Sequence, residues 1–352
     1  MKSTSIFIQR IQTMFLRPEL RFAVCKKHSF VLGLCLAALS FGQARAQNYI
    51  VNYYGFNLGA QDLVYYTAQK QFMINSLRDG QLGYINSEGQ YRLVLKDSLL
   101  IGATAMKIQG NTLYAVINRL NSANTTNPSG NRPKLVKLNL SNKKVESVYE
   151  LGTLFSGPHF VTDLTIDPEG VVYIVDALSP VIYKVDQNGH GSILLESSLL
   201  KSKTGQVKAI AYHKHEYLLV AVDRDILKVD LKTGAVYMVY VETEFEYINS
   251  LHFTKEYLLV VSEGGRSGKV HILNTSNSWL AGKVLRTDTW QYRNPVNIEF
   301  VDNRIYVLDS DDDKIASQDF SVRIIDLNKL PTNKKRKARI LAGDVTILKK
   351  EF

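Results

Sequence analysis

An all-β chain folded as a six-bladed β-propeller of four-stranded blades is predicted by three features of this sequence. A phrase of three short β-runs recurs six times, each run is rich in Val, Ile, Leu and Tyr, and Gly, Pro, Asp and Asn punctuate the runs. The copies start roughly 40 to 60 residues apart, a period that suits propeller blades. A small sheet alone leaves both faces wet, and radial stacking against its neighbours buries them. A β-sandwich pair is the structural alternative; period and copy number favour the ring.

The clearest copy reads Asp163-Leu-Thr-Ile-Asp167-Pro-Glu-Gly170, then Val171-Val-Tyr-Ile-Val-Asp176, then Val181-Ile-Tyr-Lys-Val-Asp186. Ala209–Tyr212, Tyr217–Val222 and Ile226–Asp230 form another, followed by Ser250–Phe253, Tyr257–Ser262 and Lys269–Leu273. The last is Val296–Phe300, Arg304–Asp309 and Val322–Asp326. Upstream lie Ala105–Ile108, Thr112–Val116 and Leu135–Leu138, and a weaker copy at Asp62–Tyr66, Gln71–Ile74 and Leu82–Ile85. The widest gap holds the polar insertion Asn121–Asn131, which reads as a surface loop. Ring closure requires a strand from one chain end. Tyr49–Tyr54, or Ala338–Leu341 with Val345–Leu348, could supply it.

Ahead of the repeats, Lys26, Lys27 and His28 precede the apolar run Phe30–Leu39, and Ala44-Arg45-Ala46 follows. A basic region, a short apolar region and a small-x-small site describe a secretory signal peptide cleaved after Ala46. Residues 1–46 are therefore a leader, with Met1 or Met14 as the start, and 47–352 a single propeller domain. A non-cleaved anchor is the alternative; Leu34 before Cys35 argues against a lipoprotein. The protein is expected to be exported, whether periplasmic, cell-surface or extracellular. No later stretch approaches the roughly 18 apolar residues of a membrane helix, so no span is expected after leader removal. Both cysteines, Cys25 and Cys35, fall in the leader, so burial rather than disulfides must hold the domain. The leader also carries seven of the 43 Lys and Arg but one of the 33 Asp and Glu, leaving +4 on the remainder. Part of that charge is the cluster Lys334–Lys337 with Arg339, read as a solvated loop. Without a basic stripe interleaved with aromatics, nucleic acid is not an expected partner.

Several chemical motifs are weighed and set aside. Asp309-Ser-Asp311-Asp312-Asp313 resembles a calcium loop, but Lys314 and Phe320 stand where an EF-hand needs Gly and Glu. His213 and His215 have a spacing that can bind zinc, yet they sit where other copies turn. There is no Gly-x-Ser-x-Gly elbow, phosphate-cradling Gly loop or thiol nucleophile after the leader. His159, His190, His252 and His271 are scattered and read as structural. Tyr114, Tyr173, Tyr217, Tyr257 and Tyr306 recur at matching positions and read as packing between blades. Tyr53, Tyr54, Tyr65 and Tyr66 read as core or, alternatively, as a sugar-stacking face.

The phrase Thr162-Asp163-Leu-Thr-Ile-Asp167-Pro168-Glu-Gly170, with Tyr173-Ile-Val-Asp176 and Ile182-Tyr183-Lys-Val-Asp186, resembles blades of the regucalcin–gluconolactonase family. Asn277-Ser278-Trp279 and Asn294-Pro295 resemble the segments before that family's last blade. The resemblance implies a propeller whose inner strands bring acidic and amide side chains to the axis. There they would hold calcium or another divalent cation that polarises a lactone carbonyl. Position by position the ligand set is degenerate. Ala60-Gln61-Asp62 stands for the first glutamate, Thr162-Asp163 for Asn-Asp, Lys208-Ala209 for Asn-Gly and Asn249-Ser250 for Asp-Gly. Asp62 and Asp163 remain as metal ligands, and Asp163 is the best catalytic candidate. Lys208 either points to solvent at a strand edge or salt-bridges Asp163, or it brings an ammonium to the metal position, replacing the cation and presenting its charge to a carboxylate or acidic sugar.

Three functional readings follow. The first is an exported propeller binding a small molecule, glycan or protein at the axial mouth without efficient catalysis. The second is a metal-dependent lactone or ester hydrolase, and the third an envelope scaffold for protein contact. The mouth residues are Gln61, Asp62, Thr162, Asp163, Lys208, Asn249 and Asn297. For the leader, the expected outcome is direct: N-terminal sequencing of the protein recovered outside the cytoplasm begins at Gln47, and retention of residues before Ala46 refutes cleavage there.

Overall fold

The computed structural model describes residues 49–54, 58–118, 132–204, 207–264, 267–275, 278–290, 294–310 and 320–327. The leader, the 121–131 insertion and the segment after 327 lie outside the described residues. Among those described there is no α-helix, and no helix long and apolar enough to cross a membrane.

Six small antiparallel sheets form the six blades of a β-propeller. The closing strand is β1 (Tyr49–Tyr53). Blade one comprises β2 (Leu63–Tyr66), β3 (Gln71–Asn75), β4 (Gln81–Ile85) and β5 (Tyr91–Lys96). Blade two comprises β6 (Ala103–Gln109), β7 (Thr112–Ile117), β8 (Lys134–Asn139) and β9 (Lys144–Glu150). Blade three runs β10 (Val161–Ile166), β11 (Val172–Asp176), β12 (Val181–Val185), β13 (Gly191–Glu196). Blade four runs β14 (Val207–His213), β15 (Tyr217–Val222), β16 (Asp225–Asp230), β17 (Val236–Met238). A two-residue strand, β18 (Tyr240–Val241), then crosses to the next sheet and pairs in parallel with its outer edge. That blade is β19 (Tyr247–Phe253), β20 (Leu258–Gly264), β21 (Ser267–Asn274) and β22 (Ala281–Trp290). Blade six is β23 (Pro295–Val301), β24 (Arg304–Ser310) and β25 (Phe320–Asp326), completed by β1. The fifth blade thus carries one short strand more than the expected four.

Closure comes from the N-terminal side. Strand β1 lies antiparallel to β25, with Val51 opposite Val322, and the Tyr53 ring stacks on Phe320 with centroids 4.6 Å apart. The other closure expected from sequence, Ala338–Leu341 with Val345–Leu348, lies outside the described residues.

Each seam between blades has its own apolar cluster. Met73 and Leu82 of blade one meet Met106 and Leu113 of blade two, and Val116 and Leu135 meet Ile174 and Tyr183 of blade three. At the closing seam Leu308 and Val322 meet Leu63 and Ile74. Full burial of each such aliphatic side chain stabilises by about 1.5–3 kcal/mol. The repeated tyrosines belong to these seams: Tyr173 and Tyr217 are buried, and Tyr114, Tyr257 and Tyr306 pack against them half-buried. Tyr53 and Tyr66 are also core, whereas Tyr54 points to solvent, so the four N-terminal tyrosines do not share a stacking face.

The Asp and Asn that end the repeated runs have defined tasks. At the end of the second strand they fix the segment entering the inner strand. Asn75 Oδ1 accepts from Asp62 N at 2.9 Å, Asp176 Oδ1 from Phe160 N at 2.8 Å and Asp309 Oδ1 from Asn294 N at 2.8 Å. At the end of the third strand they cap the following hairpin. Asp186 Oδ1 accepts from Asn188 N and His190 N, and Asp230 Oδ1 from Lys232 N and Thr233 N.

Gly102, immediately before inner strand β6, has φ +87, and a Cβ there would lie 1.9 Å from the Asn118 carbonyl oxygen. Gly102→Ala therefore combines backbone strain with a backbone clash. It is expected to lower stability by about 2 kcal/mol, read as a shifted denaturation midpoint; an unchanged midpoint contradicts the close approach.

Candidate functional site

The inner strands β2, β6, β10, β14, β19 and β23 all run in one direction around the axis, so their first residues form one mouth of the ring and their last residues the other. Five of these strands shift register against their partners at one place. The shifts fall between Ala103 and Ala105, Val161 and Asp163, Val207 and Ala209, Ile248 and Ser250, and Pro295 and Asn297. An extra residue in one strand bends it and re-aims its side chain. The five residues so placed are Thr104, Thr162, Lys208, Asn249 and Val296, and all five line a cavity of about 350 Å³ at the mouth. Six of the seven residues expected there line the same cavity: Gln61, Thr162, Asp163, Lys208, Asn249 and Asn297. The seventh, Asp62, is fully buried beneath it.

Asp62 and Asp163 occupy equivalent positions and do equivalent work. Asp62 accepts from its neighbour Leu63 N at 2.7 Å and from Met106 N of the next blade at 2.5 Å. Asp163 accepts from Leu164 N at 2.8 Å and from Ile210 N of the next blade at 2.9 Å. Both carboxylates thus join adjacent inner strands through both oxygens. Between them comes a residue that sequence reasoning passed over, Lys107. Burial acts to lower its pKa, but the charges of Asp62, Asp163 and Glu299 outweigh that and hold it above the ordinary lysine value. Burial pushes Asp62 up to about 7 against the pull of Lys107, and raises Asp163 in the same sense. Glu299 also faces His252, with Nδ1 to Oε1 at 4.0 Å. The signal for Lys107 was a charged residue inside the apolar run Ala105-Met-Lys-Ile108, in register with His252 and Glu299 of later blades.

Nearer the mouth, Lys208 Nζ donates to Asn249 Oδ1 at 3.1 Å, and Asn249 Nδ2 donates to Glu263 Oε2 at 2.7 Å and to the Pro295 carbonyl at 2.9 Å. Burial lowers the Lys208 pKa, opposed by Glu263. Thr162 Oγ1 donates to the Val207 carbonyl at 2.5 Å. Asn297 Oδ1 is buried without a hydrogen-bond partner.

This donor set fits a divalent cation poorly. Calcium takes six to eight oxygens, whereas both Asp163 oxygens already accept backbone N–H groups and Asn249 Oδ1 accepts from an ammonium. Asn297 Oδ1 and Gln61 are the remaining oxygen donors among the expected residues, and Lys208 repels a cation beside them. Among the described residues no cluster of three His, Cys, Asp or Glu has metal-site geometry.

Elsewhere, His213 and His215 flank a hairpin turn, and His215 N donates to His213 Nδ1 at 3.3 Å. Residues 311–319 of the acidic loop lie outside the described residues. Ser179, His159 and Asp176 are buried together, but they do not form a nucleophilic relay. His159 Nδ1 faces Asp176 Oδ2 at 3.0 Å, and the same nitrogen faces Ser179 Oγ at 3.4 Å, while Ser179 Oγ donates to the Pro158 carbonyl. A relay needs serine and carboxylate on opposite ring nitrogens. His159 Nε2 instead meets the Phe155 carbonyl at 3.1 Å. The hydrogen bond to Asp176 holds the His159 pKa above the ordinary value, and the group ties the loop to the blade.

No protein-family model and no curated protein matches the sequence. Solved structures share its fold. The major allergen Mala s 1 of Malassezia sympodialis is 15% identical with a TM-score of 0.64, over 79% of this chain and 96% of that one. A gluconolactonase from Xanthomonas campestris is 11% identical with a TM-score of 0.56, over 82% and 92%. Virginiamycin B lyase from Staphylococcus aureus is 11% identical with a TM-score of 0.52, over 79% and 99%. At these identities the likeness is one of fold: a lactonase-like propeller.

The axial charges give a test. A carboxyl whose folded pKa is raised keeps a proton that the unfolded chain releases, so stability falls as pH rises from the ordinary Asp value through about 7 for Asp62. Lys107→Met removes the opposing cation and raises the carboxyls further. The variant is expected to lose about 3 kcal/mol relative to the parent at about pH 8 and clearly less at about pH 5, where protonation relieves the repulsion. Equal losses at both pH values in chemical denaturation refute the assignment.

Proposed function

We propose that this chain is an exported binding propeller whose mouth at the start of the inner strands takes a small hydroxylated carboxylate, such as an acidic sugar, without turning it over. The observation that carries this reading is the Lys208 ammonium. It lines the cavity, is largely desolvated, and gives one hydrogen bond, to Asn249 Oδ1. An ammonium has three N–H groups, so two further donors can meet a carboxylate. Charge-assisted hydrogen bonds of this kind contribute about 1.5–3 kcal/mol.

The other groups at the mouth suit hydroxyls. Gln61 and Ser250 line the wall, and Asn297 Oδ1 offers a buried acceptor in need of a donor. A cavity of about 350 Å³ falls in the small-molecule range. Catalysis finds less support. Among the described residues Asp163 is the one carboxylate lining the cavity, and a general base must reach the proton it removes. Its oxygens face Leu164 N and Ile210 N instead.

Isothermal titration with D-glucuronate and D-gluconate tests the reading. Saturable one-site binding is expected, weakened about tenfold or more by Lys208→Met and unaffected by chelator. Absence of binding to either sugar acid, or binding indifferent to Lys208→Met, overturns it. So does hydrolysis of a generic lactone that requires calcium and disappears in Asp163→Ala, which would instead support the hydrolase.

A further inference from the structure

The opposite mouth, where the inner strands end, holds a larger cavity of about 1070 Å³. Its walls differ in kind from those of the first. Ile166, Tyr212, Phe253 and Phe300 are the corresponding residues of four successive inner strands, and each is half-buried with one side open to this cavity. A concave surface to which four of the five contributing blades bring a large apolar group at the same strand position is what ligand pockets look like.

The aromatic groups are held before any ligand arrives. His213 stacks on Tyr217, centroids 4.4 Å apart and planes within 17°, and meets the edge of Phe253 at 4.7 Å. Phe253 in turn meets Trp279 edge-on at 5.6 Å. Tyr212 lies parallel to Tyr173, planes within 2°, and its backbone N–H is fixed by Thr165 Oγ1 at 3.1 Å. Gln109 Nε2 donates to the Asp167 carbonyl at 2.9 Å and ties the rim of blade two to that of blade three.

The charges around this mouth select against ions. Lys214 and Lys255 on the rim are balanced by Asp167 and Glu256. Inside it, burial pushes the His213 imidazole down to about 4, helped by His215, Lys214 and Lys228, so it is neutral at physiological pH. Burial likewise lowers His252, against the pull of Glu299. Two neutral imidazoles supply hydrogen bonds without a net field. The charged residues Lys107, Asp62, Asp163 and Glu299 do not line this cavity.

We infer that this far mouth is a second binding site, for an uncharged planar aromatic molecule that stacks between Tyr212 and Phe253 and donates a hydrogen bond to His252. It does not depend on the sugar-acid reading of the first mouth, because it uses different residues at the other end of the strands.

Indole, planar and uncharged with one N–H donor, is the probe, titrated calorimetrically into the full mature chain. The expected result is saturable one-site binding, weakened about tenfold by Phe253→Leu and by Tyr212→Leu. These replacements keep apolar volume while removing the ring, so the thermal midpoint is expected to move little. Lys208→Met and an excess of D-glucose should leave binding unchanged. Failure of indole to bind, binding that survives both ring removals in folded protein, competition by D-glucose, or loss on Lys208→Met would each overturn the inference. If sugar acids fail at the first mouth while indole behaves as stated, the function proposed above falls and this site stands.

Discussion

The innermost strand of every blade is an edge strand, and its outward N–H and C=O groups face the axis with no further strand to pair with. An open edge buried in a narrow channel must be satisfied some other way. In this propeller side chains do it, reaching from one blade to the next. Asp62 and Asp163 take the N–H groups of Met106 and Ile210, and Thr165 takes that of Tyr212. Thr104 and Asn118 give hydrogen bonds to the Val161 carbonyl, and Thr162 to that of Val207. Most polar groups in the channel are therefore architectural. The seam clusters hold the faces of the blades together, and this ladder of side chains holds their inner edges in register.

That constraint separates the residues committed to the ladder from those left at the opening. A carboxylate with both oxygens on backbone N–H groups is a poor base and a poor ligand, whatever its position along the strand. Lys208, Gln61 and Asn297 are different. The bulge at Lys208 turns its side chain out of the ladder and toward the opening, and Asn297 Oδ1 is left without a protein partner. A regular strand would have sent the residue at the bulge into a seam. The displacement of one residue in each of five blades gives the mouth much of its wall.

Much of this was legible in the sequence because it depends on period and composition. Runs of Val, Ile, Leu and Tyr broken by Asp, Asn and Gly at a regular interval admit few arrangements that bury every face. The terminal Asx residues of the runs were visible too, although their two tasks, fixing the inner strand at Asp176 and capping a hairpin at Asp186, emerge only from partners in space. The bulges were not legible, since a local register shift leaves no mark in an alternation of short strands. Lys107 was hidden for a related reason. It sits on a neighbouring inner strand from the two aspartates it faces, 45 residues from Asp62 and 56 from Asp163 in the chain, so that only the packing of three successive blades brings the three charges together. A resemblance argued blade by blade directs attention to Lys208, at the position of a lost ligand, and away from a lysine one turn of the pleat deeper.

The placement of Lys107 also bears on why two mouths of one channel should have such different chemistry. An axial cation opposite two buried carboxylates offsets the cost of their burial, and a lysine does this permanently, whereas a metal ion would come and go with its concentration. A tethered ammonium has no open coordination position, so it supplies charge at the centre of the channel without acting as a Lewis acid. The two ends of the channel differ in what they expose. At one end the bulged residues bring a second ammonium to the surface among amides. At the other the strands run on into their hairpins, and four blades expose there the large apolar residues Ile166, Tyr212, Phe253 and Phe300 that also pack on the seam clusters. The difference between the mouths follows from strand direction and from the bulge, both of which are set before any ligand is considered.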